Sequence, residues 1–312
     1  MSKNVPVFLS LIFFSFSLLC DREKTHQTFL EKYLNQPAPG LKPVLFFPEF
    51  FPVNVRDIAI TPDGKEIYFT QVEDDSYKIM YSKYKAGEWS APSVAPFSGK
   101  YNDFEPCISA KGDKFYFASM RPSVNKRDMK NDIDIWVMDR TGKDWSKPRL
   151  LGPSINTNCM EYYPSISNDE TLYFGRNDLE MTRGDIYFSR YIKAKYTVPV
   201  ILPESINLPG TSFNAFIETD ESYIMFSTYV QDSLNLHSDL YISFRGRNGE
   251  WSASRRMGEQ INSKYNELSP WVSHDGKYLF FTSTRLDSTG KNKKHDIFWI
   301  DASVIERYRP NK

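Results

Sequence analysis

Short runs of aromatic and aliphatic residues recur along the chain, and a polar turn precedes each run. Aromatic residues favour strands, and Asp and Gly at the turns favour the tight reversal of a β-hairpin. Corresponding residues of successive runs lie 48–57 positions apart. The runs are IYFT (67–70), FYFA (115–118), LYFG (172–175), IMFS (224–227) and LFFT (279–282), after the turns PDGK, KGDK, NDET, TDES and HDGK. The pattern therefore predicts five hairpins in a repeated unit.

Each hairpin belongs to a longer unit of four strands. A third strand follows a variable loop, as in KIMYS (78–82), and a fourth opens at a polar turn with Trp or Tyr, as in GEWSAP (87–92). One such sheet cannot bury both of its faces alone, whereas stacked neighbouring sheets can. The repeat therefore predicts an all-β chain that forms a five-bladed β-propeller of four-stranded antiparallel blades over residues 41–301.

The fifth unit ends after its third strand, and a matching fourth strand occurs near the start of the chain. The segment KPVLFFP (42–48) matches KPRLLGP (147–153) in pattern, and PVILP (199–203) repeats its core. We expect this N-terminal strand to pair with DIFWI (296–300) and to close the ring. Closure removes exposed strand edges, which otherwise promote aggregation.

The first twenty residues have the pattern of an export signal. Lys3 precedes an apolar run that ends at Leu19, which suits a signal peptide and is short for a membrane-spanning helix. Cys20 follows, and polar residues come next, so the segment resembles a bacterial lipoprotein signal in which this cysteine is acylated. We expect a membrane-anchored lipoprotein that faces the periplasm or the cell surface. Its predicted segments are a signal peptide at 1–19, a lipid-attached tether at 20–40 and a C-terminal tail at 302–312.

Composition narrows the functional classes. The chain of 312 residues has 39 basic and 39 acidic side chains and a mean hydropathy of −0.50. The balanced charge does not indicate a nucleic-acid partner, and the low hydropathy excludes a protein with many membrane spans. No phosphate loop, nucleophile elbow or HExxH motif occurs, so no cofactor is predicted. Cys107 and Cys159 could pair in an exported protein, although Cys107 in an apolar strand is also typical of a buried thiol.

These repeats resemble the WD-like repeats of bacterial envelope propellers. NELSPWVSHDGKYLFFTSTR (266–285) carries the pattern, and residues 101–121 and 158–176 repeat it. Such repeats occur in the periplasmic propeller of the Tol system and in many lipoproteins. The resemblance covers residues 41–301, and it implies a periplasmic or surface scaffold that binds protein or peptidoglycan-linked partners.

A ring of polar side chains is predicted at one end of the central channel. Alignment of the units on Pro106, Pro164, Ala215 and Pro270 brings together residues at or just before the start of each first strand. The candidate ligand-binding residues are Asp57, Asp103, Glu105, Glu161, Tyr163, Asn214 and Glu267, with Trp271 as a neighbouring aromatic platform. Arg121 and Arg285, which follow second strands, are expected to bridge to the aspartates that open third strands, namely Asp134, Asp185, Asp239 and Asp296.

Three roles are open for the carboxylates of this ring. They can accept hydrogen bonds from loops between blades, or bind a cation or another polar ligand through clustered oxygens. They can also supply the carboxylic acid and carboxylate that glycoside hydrolysis requires. Repeat-equivalent positions favour the first role, because a catalytic site usually breaks the repeat. Whether a metal binds stays open.

The combined pattern predicts a non-catalytic binding or scaffold module of the bacterial cell envelope, anchored by lipid on Cys20. We expect a monomer that engages an envelope protein or a cell-wall glycan through the channel face, and no nucleic acid. The alternative is a glycan-active hydrolase with a carboxylate pair at the channel mouth. A fold by itself supports no activity. The two interpretations therefore depend on the carboxylates, which a hydrolase needs for catalysis and a scaffold does not.

Overall fold

Five small antiparallel sheets surround a central channel in the computed structural model of the chain, which confirms the five-bladed β-propeller. The first strand of each sheet lies beside the first strands of both neighbouring sheets, so these strands form a closed ring. The structure describes residues 33–34, 36–52, 54–74, 76–122, 132–177, 180, 183–231, 236–285 and 295–310. Within these ranges no helix is both long enough and apolar enough to cross a membrane.

Each blade has four main strands in sequence order from the channel to the rim. Blade 1 has Val55–Ile60, Glu66–Glu73, Ser76–Lys85 and Ser93–Val94. Blade 2 has Asp103–Ile108, Lys114–Ser119, Asp134–Thr141 and Arg149–Leu150. Blade 3 has Met160–Ile166, Leu172–Asn177, Gly184–Ser189 and Val200–Ile201. Blade 4 has Ser212–Ile217, Tyr223–Gln231, Leu236–Phe244 and Arg255–Arg256. Blade 5 has Glu267–Val272, Tyr278–Ser283, Asp296–Asp301 and the N-terminal strand Val44–Leu45.

The aromatic runs of the second strands form the cores between blades. Phe69, Phe117, Phe174 and Phe226 are fully buried, as the repeated pattern requires. Between blades 1 and 2, for example, the Tyr68 ring meets the Phe115 ring edge-on at a centroid distance of 4.8 Å. Burial of one large side chain of this kind contributes about 1.5–3 kcal/mol. Each blade therefore depends on its neighbour for part of its apolar core.

The Trp and Tyr motifs after the third strands lie slightly before the true fourth strands. In blade 1, Glu88–Trp89 pairs with Lys85 and Tyr84 as a short hairpin extension of the third strand. The fourth strand, Ser93–Val94, begins four residues after Trp89 and pairs with Tyr81 and Met80. Asp144–Trp145 repeats this arrangement in blade 2. The sequence pattern therefore predicts the position of the outer edge to within a few residues.

The N-terminal strand closes the ring, as predicted. Val44 pairs with Trp299 and Leu45 pairs with Phe298, in antiparallel register. The next residue, Phe46, donates its backbone N–H to the Ile297 carbonyl oxygen at 2.9 Å and buries its ring. The first and last parts of the propeller are therefore held in one sheet.

Residues that come before and after the predicted propeller in the sequence also pack against blade 5. The Tyr33 ring lies 4.9 Å from the Tyr278 ring, and its hydroxyl donates to Asp275 Oδ1 at 3.0 Å. At the other end a 3-10 helix, Ala302–Tyr308, buries Val304 and Ile305. The signal peptide and Cys20 lie outside the described residues, so their predicted roles stay predictions.

Candidate functional site

Every first strand has a β-bulge at an equivalent position. The register against the second strand shifts there in all five blades. One residue at each bulge has left-handed backbone, with φ between 50° and 58°, namely Asp57, Glu105, Tyr163, Asn214 and Ser269. A bulge changes the direction in which a side chain points. These five residues are here called the bulge ring; four of them, Asp57, Glu105, Tyr163 and Asn214, are predicted ligand residues, whereas the predicted Asp103, Glu161 and Glu267 lie outside it.

Arg56 binds two acids of the bulge ring. Its Nε lies 2.8 Å from Asp57 Oδ2, and a terminal nitrogen lies 3.2 Å from Glu105 Oε1. Only 17% of the Arg56 side chain is exposed, against 2% and 5% for the two acids. Buried charges of this kind are stable only when they are paired. The guanidinium therefore compensates the carboxylates that the sequence pattern predicts as a ligand site.

Glu105 is held by groups from two other blades. The Tyr163 backbone N–H of blade 3 donates to Glu105 Oε2 at 2.6 Å, opposite the contact with Arg56 of blade 1. Burial raises the pKa of Glu105 to about 8; the Arg56 cation opposes this rise and the Asp57 carboxylate adds to it. Near neutral pH this carboxyl can therefore hold or release a proton inside the channel.

Tyr163 and Asn214 close the rest of the channel at this level. The Tyr163 hydroxyl donates to the Pro270 carbonyl oxygen at 3.0 Å, so its side chain reaches from blade 3 to blade 5. Asn214 Nδ2 donates to Ser269 Oγ at 2.9 Å. All four residues are buried. The polar groups of the bulge ring are thus largely bonded to one another.

The channel space beside the bulge ring is small. Its volume is about 30 Å³, and its walls include Asp57, Glu105, Tyr163, Cys107 and Trp271. A single water molecule needs about 10–15 Å³ measured in this way, so there is room for about two. Trp271 is only 8% exposed, with its ring 5.4 Å from the Phe280 ring. It packs in the core and does not form an open aromatic platform.

A second set of predicted acids lies at the start of the first strands and is fully buried. Asp103 accepts from Arg121 at 2.5 Å and from Ser119 at 2.6 Å. Glu267 is bonded in the same way to Arg285 at 3.0 Å and to Ser283 at 2.8 Å. In blade 3, Glu161 accepts from Arg176 Nε at 2.9 Å. These three predicted ligand residues therefore form repeated ion pairs inside the blades.

The predicted partners of Arg121 and Arg285 were wrong. Each arginine bonds to the acid of its own first strand and to a backbone carbonyl between blades, Phe97 O for Arg121 and Ile261 O for Arg285. Asp103 and Glu267, which open the first strands of blades 2 and 5, are fully buried and lie within hydrogen-bond distance of these arginines. They are therefore the better partners for the guanidinium groups. Among the third-strand aspartates, Asp239 pairs with Arg256 and Asp185 with Arg183.

Cysteines and metal ligands add no chemistry to the described channel. Cys107 and Cys159 are both free thiols, and burial raises the pKa of Cys107 to about 12. A thiol with so high a pKa is a poor nucleophile near neutral pH. Within the described ranges no group of three or more His, Cys, Asp or Glu side chains is arranged to hold a metal ion.

Comparison with known proteins finds similar folds among solved structures. No family model and no curated protein sequence matches it. The structure assigned as TolB of Agrobacterium tumefaciens is similar over 78% of this chain and 81% of its own, with a TM-score of 0.50 and 16% identity. An α-L-arabinofuranosidase of Podospora anserina is similar over 85% of this chain and 94% of its own, with a TM-score of 0.50 and 12% identity. At such identities the likeness shows the propeller fold alone.

Proposed function

We propose that the protein is a non-catalytic binding or scaffold propeller of the bacterial cell envelope. The observation that supports this is the state of the bulge ring, whose two carboxylates are buried and bonded to Arg56. Groups that are already satisfied inside the fold stabilise the ring of blades and have little capacity left for a substrate. The sequence predicts a partner at the channel face; because the bulge ring there is buried and paired, we propose instead that an envelope protein or a cell-wall glycan binds to the outer surface of the propeller.

The described channel gives less support to the alternative, a glycan-active hydrolase. Its two carboxyl groups must flank a sugar, about 5–5.5 Å apart for retention or about 6.5–9.5 Å apart for inversion. Here Arg56 bonds both acids, Tyr163 reaches across the channel to Pro270, and a volume of about 30 Å³ remains beside them. A monosaccharide ring is several times larger than that volume. The geometry thus favours the binding function over hydrolysis.

A turnover assay tests the proposal directly. We expect no release of reducing sugar when the full-length protein is incubated with arabinan, xylan, peptidoglycan and aryl glycosides. The matched variant is Glu105→Gln, which keeps the shape of the side chain and removes its acid function. Turnover by the unaltered protein that disappears in this variant would overturn the proposal, because it would assign the buried acid to catalysis.

We further propose that the protein is exported and held at a membrane by lipid on Cys20. The support is the apolar run that ends at this cysteine, directly followed by polar residues. Two or more acyl chains give a stable anchor, since each buried methylene contributes about 0.8 kcal/mol. We expect the protein to incorporate a fatty-acid analogue in cells and to fractionate with membranes. The Cys20→Ala variant should do neither, and labelling of that variant would contradict lipidation at this residue.

A further inference from the structure

A groove lies between blades 2 and 3 near the rim of the propeller, away from the bulge ring. Its volume is about 390 Å³, which is within the range of small-molecule sites. Three basic side chains line it, Lys114, Arg149 and Lys195, together with Tyr116, Tyr191 and Tyr196. No acidic side chain is among the described residues of its walls. We call it the rim groove.

The equivalent place between blades 1 and 2 is filled by aromatic and ion-paired side chains. Trp145 Nε1 donates to the Tyr68 hydroxyl at 2.9 Å, and the Arg140 guanidinium lies over the Trp145 ring at 4.6 Å. The same guanidinium donates to both carboxylate oxygens of Glu66, at 2.8 and 2.9 Å. Aromatic packing and the Glu66 carboxylate, which pairs with both Arg140 and Lys83, thus occupy this interface.

The interface between blades 2 and 3 has other residues at three of these positions. By repeat alignment Tyr196 stands where Trp145 does, Tyr191 stands where Arg140 does, and Lys114 stands where Glu66 does. The Tyr196 and Tyr116 hydroxyls share a hydrogen bond of 3.2 Å. The smaller Tyr196 ring opens the groove, and its three basic side chains outnumber the two acids that pair with them, Asp139 and Glu170. Trp89, Trp145 and Trp251 stand at this position in blades 1, 2 and 4, so Tyr196 is a departure from the repeat. Such a departure is expected of a ligand site, because architecture alone would keep the Trp.

The basic side chains of the rim groove can bind a ligand with a small loss of interaction energy within the protein. Arg149 pairs with Asp139 at 3.3 Å, but both side chains are about half exposed, at 52% and 48%. Exposed pairs of this kind contribute about 0–1 kcal/mol. Lys114 lies 3.3 Å from Glu170, and Lys195 is exposed. An incoming carboxylate could therefore replace Asp139 as the partner of Arg149.

From these features we propose that the rim groove binds a small acidic saccharide, of about disaccharide size, through its carboxylate. Arg149 and Lys195 provide charge-assisted hydrogen bonds to the carboxylate. The Tyr191 and Tyr196 rings, with Leu151 and Pro153, offer an apolar wall for the face of the sugar ring. The site is separate from the channel, and it adds a ligand class that the proposed scaffold function does not specify.

Calorimetric titration of the full-length protein tests this site. The probes are digalacturonate and a disaccharide that ends in glucuronate, with neutral galactobiose and inorganic phosphate as comparisons. We expect a uronate to bind and the double variant Arg149→Ala/Lys195→Ala to weaken binding at least tenfold. The control is Lys147→Ala, which removes one exposed positive charge near Arg149 but outside the groove; its affinity should be unchanged.

A second variant separates a lost site from a lost fold. Tyr196→Trp restores the residue found in blade 2, so it should weaken uronate binding by filling the groove while the melting temperature is kept. No binding of either uronate, or equal binding of galactobiose, overturns the proposal. Phosphate that binds as tightly as a uronate and competes with it overturns the saccharide assignment. Cleavage of a uronate would contradict the non-catalytic function and leave the binding site standing.

Discussion

Replacement of Arg56 by methionine is expected to lower the free energy of unfolding by about 3–5 kcal/mol, the usual cost of removing one partner from a buried ion pair. The change leaves Asp57 and Glu105, which are 2% and 5% exposed, without their cation. Methionine keeps much of the side-chain volume, so the loss reports charge more than packing. Urea unfolding at constant ionic strength measures it.

The loss of unfolding free energy in Arg56→Met should be larger at high pH. Burial already raises the pKa of Glu105 to about 8, and removal of the Arg56 cation raises it further. A carboxyl whose folded pKa lies above its unfolded value keeps its proton in the folded protein, so folding loses stability as pH rises from the unfolded to the folded pKa. The two proteins should therefore lose stability in parallel up to about pH 8, and the difference between them should grow only above pH 8, where Glu105 loses its proton in the unaltered protein. Addition of Glu105→Gln should recover part of the loss at the higher pH.

The control for this experiment is Arg149→Met, which breaks an exposed pair with Asp139. It should change the free energy of unfolding by about 0–1 kcal/mol with little pH dependence. A loss in Arg56→Met no greater than in this control would mean that the channel acids are hydrated and open. In that case the main support for a non-catalytic channel would be gone.

The repeat predicts the architecture well because strand periodicity, turn residues and inter-blade packing all report the same unit. The clearest example is the N-terminal strand, where the match of Lys42–Pro48 to Lys147–Pro153 predicts the pairing of Leu45 with Phe298. The alignment also predicts the bulge ring, since equivalent positions in a ring of blades must face the same channel. Residues at equivalent positions of the repeats therefore lie close together in space wherever the ring of blades turns them toward the same channel.

The alignment of repeats does not predict which side chains form ion pairs in the bulge ring. Arg56 has no equivalent cation at its position in the other units, where Phe104, Tyr162, Phe213 and Leu268 stand. Its partner Glu105 is 49 residues away in the chain, so no local pattern indicates the pair. The one available signal is the departure from the repeat, and the same signal marks Tyr196 in the rim groove.

The closing strand provides the other large effect that we expect. Phe46 is 1% exposed, and its ring lies 5.0 Å from both the Phe280 and the Trp299 rings. Phe46→Ala should therefore lower the free energy of unfolding by about 3–5 kcal/mol, as buried aromatic truncations do. Val44→Ala is the matched control, because Val44 lies in the same segment and is 42% exposed. It should cost less than about 0.5 kcal/mol.

Native-state hydrogen exchange locates this effect within the ring. The Phe46 N–H is bonded to the Ile297 carbonyl oxygen, so loosening of the N-terminal strand should first expose amides of blade 5. In Phe46→Ala we expect the amides of Asp296–Asp301 to exchange faster than those of Lys114–Ser119 in blade 2, because local opening costs less than global unfolding. Equal losses of stability in the two variants, or uniform acceleration in all blades, would mean that ring closure does not depend on Phe46. The strand Val44–Leu45 would then be attached to blade 5 without holding the propeller shut.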